Sequence, residues 1–78
     1  MKDALGNEIV LGETYGYARN ENGFNIAVFG IANKFTEKGV TLEVIERKRS
    51  LYFDELEIIE IGNPKVSVKP MQLFPVKF

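Results

Sequence analysis

The chain has no cysteine, no histidine and no tryptophan among its 78 residues. Without cysteine no disulfide can hold a small domain together, and thiol chemistry is excluded. With histidine missing as well, the usual ligands of a structural zinc ion are absent. The same two absences remove the commonest general base and the strongest side-chain nucleophile. Ser50 and Ser67 have no base nearby in the sequence to activate them. Net charge is also lacking: ten basic and eleven acidic residues leave −1. Neither half is polarised, since residues 1–40 hold four basic and five acidic side chains and residues 41–78 hold six of each. Nucleic-acid binding relies on a basic surface and is therefore the least favoured partner class. No run approaches the roughly 20 apolar residues of a membrane span. The start, with Lys2 and Asp3 followed by turn residues, has no apolar signal core. The expectation is a soluble cytoplasmic protein that engages no membrane.

What the chain does have is aromatic side chain: Tyr15, Tyr17, Phe24, Phe29, Phe35, Tyr52, Phe53, Phe74 and Phe78. Residues 1–78 are short enough to form only one domain, and a domain of this size buries a smaller fraction of its surface than a larger one does. Stability must come from dense packing or from a second copy of the chain, and nine rings are many for one such core. Rings left at the surface would make an interface or a ligand platform. A homo-oligomer, a dimer in the simplest case, is expected, with Leu51–Ile61 as its interface; the competing outcome is that this segment pairs with Val40–Arg49 in the same chain and the protein stays monomeric.

The residue pattern predicts an all-β fold. Residues 1–12 read as loop, with Ile9-Val10-Leu11 as a short apolar piece. Thr14–Glu21 reads as a strand that sets Tyr15, Tyr17 and Arg19 on one face and Thr14, Gly16 and Ala18 on the other. Asn22-Gly23 is a strong hairpin signal, because a type I′ turn needs φ > 0 at both positions. Phe24–Phe35 is apolar on both faces, with Gly30 as a place to bend. Thr36–Gly39 is a second turn. Val40–Arg49 alternates Val40, Leu42 and Val44 inward against Thr41 and Glu43 outward. Leu51–Ile61 changes phase at Ile59, which predicts a bulge near Ile58-Ile59; a helical turn over Ser50–Leu56, capped by Ser50, is the alternative. Gly62-Asn63-Pro64 is a turn, Lys65–Lys69 a strand with Val66 and Val68 inward, Pro70–Leu73 a 3₁₀ turn, and Phe74–Phe78 an edge strand that tolerates Pro75.

Strand, long hairpin, strand, 3₁₀ turn and short final strand is the order of a small SH3-like barrel of five to six antiparallel strands. The opening Leu5-Gly6-Asn7-Glu8-Ile9-Val10-Leu11-Gly12-Glu13-Thr14-Tyr15 resembles the start of small accessory proteins of tailed bacteriophages with such a barrel. These begin with an apolar residue, Gly, a polar pair, Ile, and then Gly before the first strand. Val66-Ser67-Val68-Lys69-Pro70 followed by Leu73-Phe74-Pro75-Val76 is similar to their closing strand and turn. The resemblance covers the two ends of the chain and leaves residues 40–61 outside it. It implies a phage accessory protein acting in the host cytoplasm, and it carries over no site residue.

Two stretches are candidates for binding. Arg47-Lys48-Arg49 is the only basic cluster, with Tyr52 and Phe53 just beyond; guanidinium beside an aromatic face suits a nucleotide or a phosphorylated ligand. The alternative is a solvated turn whose charges pair with Glu43, Glu46 and Asp54. Tyr15, Tyr17 and Arg19 form a second aromatic-basic stripe; the alternative is that both tyrosines are core with their hydroxyls at the rim. Glu55 and Glu57 share a strand face and imitate a catalytic carboxylate pair, but such residues also solvate an outward edge. No phosphate loop is present, because Gly12 and Gly16 lead into a strand and not into a helix. The expected function is non-enzymatic and cofactor-free: docking on a host or phage macromolecule through an aromatic surface, with Tyr15, Tyr17, Arg19, Arg47, Arg49 and Tyr52 as contact residues. Capture of a nucleotide signal between adjacent copies, countering host defence, is the second reading, and weak nucleic-acid binding the third.

Overall fold

The computed structural model describes residues 1–21, 24–50, 56–59 and 64–76. It is all-β, with one short 3₁₀ turn. The strands are β1 (Thr14–Glu21), β2 (Phe24–Thr36), β3 (Gly39–Ser50), β4 (Leu56–Ile59), β5 (Lys65–Val68) and β6 (Phe74–Pro75), with the 3₁₀ turn at Pro70–Gln72. All pair antiparallel in one sheet ordered β4-β3-β2-β1-β6, and β5 also pairs with β3. β4 and β5 lie end to end along one edge of β3, so six strands occupy five positions. Among the described residues no ladder joins β6 to β4 or β5, so pairing does not close the sheet into a ring.

The β1–β2 ladder is unbroken from Thr14↔Ile31 to Glu21↔Phe24; the Asn22-Gly23 turn expected beyond it lies outside the described residues. The second hairpin closes at Thr36↔Gly39. There Gly39 has φ 143° and its backbone lies against the Val68 carbonyl, so a side chain would be both strained and blocked. Two irregularities bend the β2–β3 ladder. Phe29 pairs with Glu46 but Gly30 with Val44, which leaves Ile45 as an extra residue in β3. Ala32 pairs with Leu42 but Lys34 with Thr41, which leaves Asn33 as an extra residue in β2. Gly30 sits at the first of these, where a Cβ would come within 2.8 Å of the Glu43 carbonyl oxygen.

The bulge expected near Ile58-Ile59 is not there. Arg47↔Ile59 and Lys48↔Ile58 follow each other in regular register. The next described pair is Glu43↔Lys65, and residues 60–63 between the two ladders lie outside the described residues. The β5 ladder reaches back to this break, since the Val44 N–H donates to the Pro64 carbonyl at 2.7 Å. Leu56–Ile59 is strand, paired within the chain to β3; the alternative helical turn falls mostly on residues 51–55, outside the described residues.

The core sits on the inner face. Val40, Leu42 and Val44 of β3 are buried as the alternation predicts, against Ile26, Val28 and Ala32 of β2, Tyr15 and Tyr17 of β1, Val68 of β5 and Leu73. The first residues are more ordered than a loop reading suggests. Lys2 bridges Glu8, the Asp3 carboxylate accepts the Leu5 and Asn7 N–H groups at 2.9 and 3.1 Å, and the Ala4 N–H donates to the Leu73 carbonyl at 2.7 Å. This hook lays Ile9 into the core. Pro70 starts the 3₁₀ turn, where its missing N–H costs nothing, and the turn delivers the chain to β6 beside β1.

Candidate functional site

Directly paired residues on neighbouring strands share a face. Tyr17↔Val28↔Arg47 and Arg19↔Ile26↔Arg49 therefore set Tyr17, Arg19, Arg47 and Arg49 on the inner face together. The extra residue Ile45 is responsible for the β3 members. Had the ladder continued regularly from Gly30↔Val44, Glu46 and Lys48 would face inward and both arginines outward. Five of the six expected contact residues thus lie on one face, since Tyr15 pairs across from Gly30 in the same row system; Tyr52 lies outside the described residues.

Burial divides this set. Tyr15 and Tyr17 are 4% and 7% exposed and belong to the core, so neither offers a ring face to a ligand. The Tyr15 hydroxyl accepts the Val10 N–H at 2.9 Å, which ties the ring's polar tip to the N-terminal hook. Arg47 and Arg49 are half-buried and Arg19 is exposed. Each of the three arginines has an interaction within the chain. Of the carboxylate pair, Glu55 lies outside the described residues, and Glu57 stands opposite Arg49 in the β3–β4 ladder. The described residues contain no group of three or more metal-ligating side chains and no helix long and apolar enough to cross a membrane.

An aromatic cluster lies on the outer face, on residues that the sequence places in strands but not in a site. Gly16 pairs with Phe29 on one side and Phe74 on the other. Its missing side chain makes room for both rings: a Cβ there would lie 3.0 Å from Phe29, and 3.1 Å from each of Phe74 and Val76. Phe29 and Val76 are half-buried and Phe74 is 39% exposed. Ala18↔Ala27 and Ile31 continue the apolar strip. One flank is charged: Lys48 pairs with Glu46 at 3.2 Å, and its ammonium stands 5.8 Å from the centre of the Phe29 ring. Next to Lys48 in the ladder, Ile58 is 72% exposed. The one sequence signal for this arrangement is the glycine itself, which alternates with two tyrosines and leaves an aromatic strand uncovered on its second face.

No family model matches the chain, and neither any curated protein nor any solved structure does.

Proposed function

We propose that this protein is a non-enzymatic binding module, an accessory protein of a tailed phage, that docks on a host or phage macromolecule through the outer face around Phe29 and Phe74. The observation that carries this is the Gly16 gap: two phenylalanines and a valine gather over bare backbone at the surface and not in the core. Aromatic side chains clustered at an accessible, partly polar-rimmed patch are the usual anchors of protein recognition. A homodimer belongs to the same proposal, with Ile58 extending the apolar strip across Lys48 to the β4 edge. We also take the architecture to be an SH3-like, half-open barrel. Its support is the element order, a long bent hairpin followed by a 3₁₀ turn that returns β6 to β1.

Nucleotide capture between the arginines and Tyr15 or Tyr17 is the weaker reading, because both tyrosine rings are buried in the core and cannot stack on a base. Native mass spectrometry of the protein recovered from host extract separates the possibilities. A co-purifying protein that is lost in Phe74→Ser, with the circular dichroism unchanged, is the expected result. A small bound mass lost in Arg47→Gln would favour capture. Oligonucleotide binding that disappears with added salt would favour a nucleic-acid module.

A further inference from the structure

The β2–β3 hairpin carries a cleft of about 620 Å³ that shares no lining residue with either candidate face described above. Lys34, Lys38 and Lys65 line it together with the polar side chains of Asn33, Thr41 and Ser67. Lys34 pairs with Thr41 and Thr41 with Ser67, so an ammonium and two hydroxyls form one row across three strands. The extra residue Asn33 puts Lys34 there. In a regular ladder continued from Ala32↔Leu42, Lys34 would fall opposite Val40, which is wholly buried. The bulge turns Lys34 outward over Thr41 instead.

The charge is concentrated relative to the rest of the chain. Three lysines line the cleft against one carboxylate, Glu37, while the whole chain is nearly balanced. Among the described residues neither Lys34 nor Lys38 forms an ion pair; Lys65 stands opposite Glu43 in the β3–β5 ladder. Compact ammonium charges with hydroxyl and amide groups between them match the oxygens of phosphate. The span selects which phosphate. β2 and β5 flank β3, and two strand spacings make about 10 Å, too wide for a single phosphate and suited to a short chain of them.

We propose that this cleft binds the di- or triphosphate group of a small molecule. The site is independent of the docking face and uses none of its residues.

Amide NMR of the intact protein, titrated with inorganic tripolyphosphate at fixed ionic strength, tests it. The expected result is saturable shifts centred on Asn33, Lys34, Thr41 and Ser67, with binding about tenfold or more tighter than orthophosphate or sulfate. Lys34→Gln combined with Lys65→Gln should weaken tripolyphosphate by about tenfold or more while the ladder amides keep their pattern. Should that double variant fail to fold, Lys38→Gln in the exposed turn is the second arm, with a loss of about threefold expected. Shifts that track ionic strength without saturating, equal binding of sulfate, a response centred on Arg47 and Arg49, or unchanged binding by the folded variants would each overturn the proposal.

Discussion

The two halves of β3 share one strand and little else. From Gly39 to Val44, wholly buried Val40 and Leu42 alternate with outward Thr41 and Glu43. From Ile45 to Arg49 no residue is buried, although the strand continues to pair along β2 as far as Ile26↔Arg49. The first half lies between β2 and β5 and faces Leu73 and the N-terminal hook; the second lies between β2 and β4. The buried residues of β3 are gathered at one end, whereas Val28 and Ile26 of β2, opposite Arg47 and Arg49, carry the core past the other; the single extra residue at Ile45 decides that the arginines face in there. On β3 the wholly buried side chains thus lie in the first half and the arginines in the second.

The sharpest way to break this contrast is to empty the first half. Leu42→Ala removes a wholly buried side chain from the centre of the core. The expected loss is about 2–5 kcal/mol, enough to unfold much of a marginal domain, and urea denaturation measures it. A loss under about 1 kcal/mol would mean that the core is not concentrated there. Next in size is Gly30→Val at the hinge between the halves. Its side chain would meet the Glu43 carbonyl, which is backbone and cannot step aside. Destabilisation of roughly 1–3 kcal/mol is expected, read from the thermal midpoint; no change would refute the close approach.

Much of this contrast is legible in the sequence, and the missing part has a physical cause. Alternation in Val40–Val44, Gly39 at its turn and Pro70 at the 3₁₀ turn each act locally, so local reading finds them. The hairpin strand β1 is found to the residue for the same reason. The bulges are different. An extra residue is defined by its partner strand, and only pairing reveals which residue is unmatched. The apolar doublet Val44-Ile45 is the visible trace of one of them, yet the doublet at Ile58-Ile59 looks the same and is regular in the ladder. For Tyr15 and Tyr17 the sequence leaves surface stripe and core both open, and the core reading holds; the hook that brings Ile9 into the core and the Val10 N–H onto the Tyr15 hydroxyl is distant in kind from any strand signal. The gathering of Phe29 and Phe74 at Gly16 brings the second strand and the last to one place, and nothing local announces it. Gly16 was the only hint, and a glycine alone does not say what fills its place.

The second half can be probed through association. Ile58 lies on the outer side of β4 at the edge of the sheet and is the most exposed of the large apolar side chains described. Light scattering at micromolar concentration should return twice the 8.8 kDa chain mass for the native protein. Ile58→Asp should return one chain mass, with the fold retained as judged by circular dichroism. A native mass near one chain would sink the dimer, and a dimer that survives Ile58→Asp would move the interface elsewhere on the surface.

The smallest effect tests whether charge in the second half stabilises anything. Lys48 makes an ion pair with Glu46 at 3.2 Å and stands over Phe29, and its side chain is about one-third exposed. An ion pair that open to water contributes little, since solvent screens it and holding two long side chains together costs entropy. The cation above a ring adds about 0.5–1 kcal/mol at an exposed site. Lys48→Gln keeps the length of the stem that covers the apolar strip and removes only the charge. The expected loss is under about 1 kcal/mol, and it should shrink further when salt is raised from low to molar concentration. A salt-independent loss comparable to that of Leu42→Ala would show that the second half is held by its charges, and the division of labour along β3 would fail.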